Sequence, residues 1–258
     1  MRALVQGWIP STGGPIAPTG APTRGDDAAP ILLTQRPRIR EQGEVGCCVS
    51  IAITGAIELL LAGARGRTPE LSPMFHYWVA RGDHYEAGPI TFLAGLQAAI
   101  TQGICLHRLH DVPFTLEGAA RPPSAAAIAE AKARAQARYD PITGGLRTRF
   151  QFFRLPDHDR ARQFRRTLAD GAPIVFGFWQ TPGYAEVHAG HPVHGATLAP
   201  RQDVGHAALI VGHRPGRGFL VADARGRGFA ERGTWWLPDA LLETPLIQES
   251  WTLRQNPT

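Results

Sequence analysis

A glutamine, two glycines and a pair of cysteines stand together in Gln42-Gly43-Glu44-Val45-Gly46-Cys47-Cys48, directly ahead of a dense apolar run. Cysteine attacks a carbonyl carbon as its thiolate, so its pKa must fall below the ordinary ~8.5. The N-terminal end of a helix supplies partial positive charge and unpaired N–H groups. The run that begins at Cys48 puts that residue at such an end. Gln42 offers an amide NH₂ that can point back at the same place, and with the Cys48 N–H it would make a two-donor oxyanion hole. Such a device contributes several kcal/mol in a transition state. Gly43 and Gly46 let the backbone turn tightly enough for both donors to converge. Chemistry by itself does not choose between Cys47 and Cys48. A base is available at His206, which heads the apolar run Ala207 to Val211 after Val204-Gly205.

The elements that must position these groups fall into two halves. From Cys48 to Leu61 the apolar positions predict a buried central helix, closed by Ala62-Gly63-Ala64-Arg65-Gly66. Ser72 and Pro73 mark the start of a second helix running from Met74 to Arg81. A third, over Thr91 to Gln102, places Phe92, Leu93, Leu96 and Ile100 on one side. After Pro122-Pro123, Ser124 caps an alanine-rich helix expected to reach Tyr139. Thr148 to Leu155 reads as a strand, and Asp157 starts a short amphipathic helix ending before Gly171. Strand-like runs follow at Ile174 to Trp179, Ala207 to His213, Phe219 to Ala222 and Thr234 to Leu237. A helical half (31–145) followed by a mainly β half (146–258) is an α+β order. It leaves a cleft between the halves, across which a cysteine opening a helix and a histidine opening a strand can meet. Residues 1–30, rich in Pro, Gly, Thr and Asp, read as a flexible arm or an extended strap, with compact structure expected from Ile31.

Composition narrows the class further. The chain has 258 residues, 43% hydrophobic and 19% charged, which is ordinary for a globular protein with a sizeable core. Three cysteines, an odd and low count, argue against a disulfide framework, and Cys105 reads as a small buried hydrophobe. The net charge is +5, but Arg147, Arg149, Arg160, Arg162, Arg165 and Arg166, the densest basic group, read as a solvated face rather than a nucleic-acid surface. Lys132 is the single lysine among the 27 basic residues, a usage that suggests a GC-rich, bacterial genome. No apolar run approaches the ~20 residues of a membrane helix, and no secretory signal opens the chain, so no membrane is expected and, unless a leaderless export route carries it, the cytoplasm is the expected location. His188, His191 and His194 read as a loop on the cleft rim, with no metal expected. There is no nucleotide-binding loop and no cofactor is called for.

The active-site loop resembles that of the papain family: Gln, then Gly, then a cysteine opening a helix six positions after the glutamine. That spacing selects Cys48 as the nucleophile and leaves Cys47 on the variable position before it. Val204-Gly205-His206-Ala207-Ala208-Leu209-Ile210-Val211-Gly212 is similar to the family's histidine-bearing strand. Gly218-Phe219-Leu220-Val221-Ala222-Asp223-Ala224-Arg225-Gly226 is similar to the segment carrying the orienting asparagine. Asp223 stands at the asparagine position. Arg225 replaces the tryptophan that shields the family's pair, which predicts a pair less protected from water. Weaker likenesses extend from about residue 31 to 254: Leu71 to Trp78, Glu86-Ala87-Gly88, Trp235 to Pro238, and Ser250 to Leu253.

The resemblance implies a papain-like fold and a cysteine peptidase of bacterial type, acting through a thioester acyl-enzyme. Cys48 would attack, His206 shuttle the proton, Gln42 and the Cys48 N–H hold the oxyanion, and Asp223 orient the imidazole. Gly88 would pair with the substrate backbone, and Gly46, Cys47 and Gly205 would line the substrate site beside the reacting pair. Val45 stands where secreted members bear a half-cystine, consistent with a reducing compartment. The arm is too short for the family's folded inhibitory propeptide, so an inhibitor or immunity partner could restrain the activity. Two other readings remain: acyl transfer or leader-peptide processing by the same Cys-His-Asp set, and an inactive copy used for binding.

Overall fold

In the computed structural model the described residues are 6–15, 29–65, 68–82, 87–135, 138–140, 145–147, 149–195 and 201–256. The front half is helical as its periodicity predicts. The central helix α1 (Cys48–Arg65) is buried from Cys48 through Leu59. α2 (Pro73–Arg81) begins at a true cap, the Ser72 hydroxyl accepting from the Phe75 N–H at 3.1 Å with Pro73 at the first position. Thr91 caps α3 (Phe92–Thr101) in the same way, at 3.0 Å to the Ala94 N–H. The short α4 (Leu116–Ala120), which the sequence did not signal, follows, with Thr115 as its cap. α5 (Ala125–Ala135) stops short of Tyr139: Arg138–Asp140 (β2) instead pairs with Gly145–Arg147 (β3) in a two-stranded ribbon. Only Ala127, Ala131 and Ala135 of α5 are buried, so little tertiary packing favours a longer helix there.

The rear half is one antiparallel sheet in the order β4-β9-β5-β6-β7-β8, with β1 (Ile31–Leu32) pairing along β6. Its strands are β4 (Phe150–Arg154), β5 (Ile174–Gln180), β6 (Arg201–Arg214), β7 (Gly218–Ala222), β8 (Thr234–Leu237) and β9 (Ile247–Gln255). The amphipathic α6 (Arg160–Ala169) and two single turns, α7 (Pro182–Ala185) and α8 (Asp239–Leu242), complete it.

Both faces of the sheet are covered, and strand alternation divides the core in two. On β5 and β6, Val175, Ala207, Leu209 and Val211 join a cluster with α1. Ile174, Phe176, Phe178, Ala208 and Ile210 join a second cluster with Phe164, Tyr184, Phe219 and Trp235. His206 shares the parity of this second, aromatic face, opposite Phe178 in register. Gly205 and Trp179 oppose each other on the face turned toward the helical half.

Of the two readings for the segment before Ile31, flexible arm or extended strap, residues 6–15 take the second and are packed against the body. Trp8 is fully buried, Ile9 and Ile90 share a hydrogen bond, and the Arg154 N–H donates to the Pro15 carbonyl at 2.7 Å. The indole and these backbone pairings outweigh the Pro/Gly composition that favours a loose chain. Residues 16–28 lie outside the described residues.

Candidate active site

The loop before α1 is held from two sides. Arg40 makes a bidentate ion pair with Glu58 of α1, at 2.6 and 3.2 Å, and Glu58 also accepts from the Leu71 N–H. Both side chains are buried, so this pair serves geometry more than stability. Two residues on, the Gln42 N–H donates to the Ala224 carbonyl at 2.8 Å and the Gly226 N–H to the Arg40 carbonyl at 3.0 Å. The glutamine loop is thereby stitched to the segment that carries Asp223. Gly43 turns the chain with φ 59, where a Cβ would come within 2.3 Å of the Phe114 carbonyl oxygen.

The Cys47 carbonyl accepts the first helical bond, from Ile51, at 3.0 Å. Cys48 is thus the first helical residue, and its N–H has no intrahelical acceptor. Burial, followed by the neighbouring Cys48, pushes the Cys47 thiol well above the ordinary range. Both cysteines are fully buried in the same core cluster, and it is Cys48 that opens the helix and acts on His206. Gln42 is buried and its Oε1 has no partner among the described residues.

His206 and Asp223 meet at 3.0 Å, Nε2 to Oδ1, with both side chains buried. Burial opposes the imidazole's charge, but Asp223 and then Cys48 outweigh it and raise the pKa to about 10. Nδ1 makes no full hydrogen bond among the described residues, yet Cys48 is close enough for its sulfur to act on the ring. Burial likewise pushes the Asp223 carboxyl up, and His206, Trp235 and Arg225 prevail to hold it below the ordinary value. Asp223 accepts from three side chains: His206, the Tyr184 hydroxyl at 3.0 and 3.2 Å, and the Trp235 indole N–H at 2.7 Å.

The expected exposure of the pair to water is therefore corrected. Arg225 does replace the shielding tryptophan, but its guanidinium lies over the rings of Phe229 (4.0 Å) and Tyr184 (5.3 Å). Phe178 meets the His206 ring edge-on at 5.5 Å and Tyr184 lies 5.6 Å from it, so His206 and Asp223 are only 2% and 3% exposed. His194, expected on the cleft rim, is also buried here, stacked on Tyr184 and 5.4 Å from Trp235. Its burial lowers its pKa to about 4, so it packs as a neutral ring.

Tyr184 carried no signal in the sequence, because it comes from a separate turn that folds back over the pair. Trp235 stood out only as part of a closing strand.

Cys48 is covered by the chain's own N-terminal strap. A Cβ on Gly7 would stand 2.6 Å from Cys48 Sγ, and one on Gly46 would stand 2.4 Å from the Gln6 carbonyl oxygen. The Gly7 N–H reaches the Gly205 carbonyl at 3.4 Å, placing Gly46 and Gly205 on either side of the strap. The Gly7 carbonyl accepts from the Ile90 N–H at 3.4 Å, and the Ile9 N–H donates to the Ile90 carbonyl at 3.3 Å. The strap's backbone partner is Ile90, and the nearby Gly88 carbonyl accepts from the Tyr77 hydroxyl at 2.7 Å. Glu86 lies outside the described residues. The Trp8 side chain enters a slot over Gly177 and Gly205, beside Trp179, and donates from Nε1 to Glu249 at 2.8 Å.

Among the described residues no His/Cys/Asp/Glu group is arranged to hold a metal ion, and no helix is long and apolar enough to cross a membrane.

No protein-family model matches this sequence, and no curated protein matches it. Solved structures do. The fold is similar to xylellain, a cysteine protease from Xylella fastidiosa, at 18% identity over 100% of this chain and 99% of that one, with a TM-score of 0.77. It is similar to procathepsin B S9 from Trypanosoma congolense at 12% identity, covering 99% and 86% of the two chains, with a TM-score of 0.68. The Carica candamarcensis cysteine protease crystallised with E-64 matches at 17% identity, 86% and 94% coverage, and a TM-score of 0.62. The chain therefore has the α+β, papain-like fold of cysteine proteases.

Proposed function

We propose that this protein is a cysteine peptidase that hydrolyses peptide bonds through an acyl-enzyme on Cys48. The observation that carries the reading is Cys48 at the first position of α1, beside an imidazole held by Asp223 with its pKa raised to about 10. His206 takes the thiol proton, the Cys48–His206 ion pair attacks, and the Cys48 N–H with the Gln42 amide receives the oxyanion. His206 then returns the proton to the leaving amine, and water releases the acid. Its substrates are peptides or proteins, as the names of the fold's neighbours suggest. The strap makes the folded form latent, which removes the need for a separate inhibitor. Three free thiols suit a reducing, cytoplasmic setting.

The test is Cys48 alkylation by iodoacetamide, followed by mass spectrometry across pH, in Trp8→Ala and in Trp8→Ala/His206→Ala. Fast labelling well below pH ~8 that disappears with the histidine supports the reading. Slow, thiol-like labelling in both variants would leave an inactive fold used for binding. Product analysis on a peptide then separates hydrolysis, which yields a new carboxylate, from acyl transfer, which yields an amine adduct.

A further inference from the structure

Asp223 brings a full negative charge into a closed site. Its buried carboxylate faces His206 on β6, Tyr184 on α7 and Trp235 on β8. His194, the other titratable ring on that side, is neutral and stacked on Tyr184, and Cys48 acts on the imidazole from α1. In the attacking state Cys48 is a thiolate and His206 an imidazolium, so those two charges cancel. With the asparagine that the papain-like resemblance expects at position 223, the site would then be neutral. With Asp223 it holds one further negative charge, which burial makes costly unless a cation answers it.

Arg225, two residues on, carries that positive charge. Its half-buried guanidinium lies over the rings of Phe229 (4.0 Å) and Tyr184 (5.3 Å), and its Nη1 is buried with no acceptor among the described residues. The Tyr184 hydroxyl in turn donates to both Asp223 oxygens, at 3.0 and 3.2 Å, so one side chain links the cation to the anion. The guanidinium acts on the Tyr184 hydroxyl and helps to keep the Asp223 carboxyl ionised. Glu41, bridged to Arg225 through the backbone, is exposed, and water screens its charge. The backbone around Arg225 is pinned on both sides. The Gln42 N–H donates to the Ala224 carbonyl at 2.8 Å and the Gly226 N–H to the Arg40 carbonyl at 3.0 Å.

We propose that Arg225 is a positioning residue of the Cys48–His206 pair: through Tyr184 and Asp223 it balances the aspartate's charge in the attacking state, where a tryptophan could only cover the pair. The proposal rests on the peptidase reading, since the balance is counted in the thiolate–imidazolium state. Two departures from the papain-like segment, Asp for Asn at 223 and Arg for Trp at 225, thereby become one change: the first adds a buried anion and the second answers it. Cover and charge can be separated. Arg225→Trp keeps an aromatic cover without the charge, and Arg225→Lys keeps the charge without the planar cover.

The experiment uses the full chain with Trp8→Ala. The pH midpoint of Cys48 labelling by iodoacetamide reads the thiolate, and the NMR resonance of the Asp223 carboxyl carbon reads the aspartate's own titration. Arg225→Trp and Arg225→Met should each move both acid midpoints up by about one pH unit, while Arg225→Lys holds them near the parent's. In an Asp223→Asn background the labelling shift caused by Arg225→Trp should shrink to less than about half, because the charge to be balanced is gone. Midpoints kept by the tryptophan and lost with the lysine would make Arg225 a cover and overturn the proposal. An equal shift in the Asp and Asn backgrounds would overturn it too. Slow, thiol-like labelling in every variant would instead sink the peptidase reading. The carboxyl resonance would then decide the charge balance alone, for it if the midpoint still rises in Arg225→Trp and against it if the midpoint stays.

Discussion

The two members of the proposed Cys48–His206 pair are sheltered by different means. On the His206 side the cover is the permanent core: Phe178, Tyr184, Trp235 and His194 belong to the aromatic face of the sheet, and Asp223 is held by bonds of 2.7 to 3.2 Å. On the Cys48 side the cover is a strap whose backbone bonds near the sulfur are 3.3 to 3.4 Å long and whose Trp8 side chain holds on to Glu249 at 2.8 Å. A base must keep one tautomer and a shifted pKa through the whole reaction, so its environment is built in. A nucleophile must meet substrate, so its cover has to be removable.

The largest effect should come from breaking the permanent side. In an unlatched Trp8→Ala background, His206→Ala should lower kcat/KM for peptide hydrolysis by about 10³-fold, the general-base share of such a reaction. Asp223→Asn comes next, at about 10²-fold, and its pH dependence is the sharper readout. His206 is raised to about 10, so its stabilising contribution is complete below the unfolded pKa of ~6.5 and is lost as pH rises through about 10. Asp223 is lowered, so its contribution is present above its unfolded value of ~3.9 and is lost as pH falls through the lower folded value. Thermal stability should therefore fall toward alkaline pH in the wild type, and removing the carboxylate should move that loss down toward neutrality. An unchanged alkaline limb would show that Asp223 does not hold the imidazole.

Breaking the removable side has the opposite sign. Trp8→Ala alone should accelerate iodoacetamide labelling of Cys48 by about ten-fold, because the strap loses its buried indole and its bond to a carboxylate. A strap that does nothing would leave the rate unchanged. The smallest effect is expected from Tyr184→Phe, which removes one donor from Asp223 while keeping the ring. Thermal melts should report a loss of about 1.5 kcal/mol, with the labelling rate of Cys48 little altered if the tyrosine serves the base and not the nucleophile.

Much of this arrangement was legible in the chain. Helix and strand periods are local, so α1, α2, α3, β5, β7 and β8 could be read from apolar spacing and caps such as Ser72. Gln42, Cys48 and His206 stood out because a reactive residue at an element's end, beside glycines, has few structural reasons to be there. The sequence also showed Arg225 where a shielding tryptophan was expected. It did not show that Tyr184, 41 positions before Arg225, supplies a ring against the pair. Glu249 left one faint trace, an acid alternating with Trp251 and Leu253. For residues 6–15 the sequence left arm and strap both open, since Pro and Gly report backbone freedom and not what a single tryptophan can bury.

The sequence by itself determined the halves, the order of the reactive segments and the chemistry they could support, because these depend on residue type and short spacing. Only the tertiary structure decided what surrounds the imidazole and what lies over the sulfur. Those outcomes depend on contacts such as Trp8 to Glu249, 241 positions apart, and no local pattern encodes a partner at that distance.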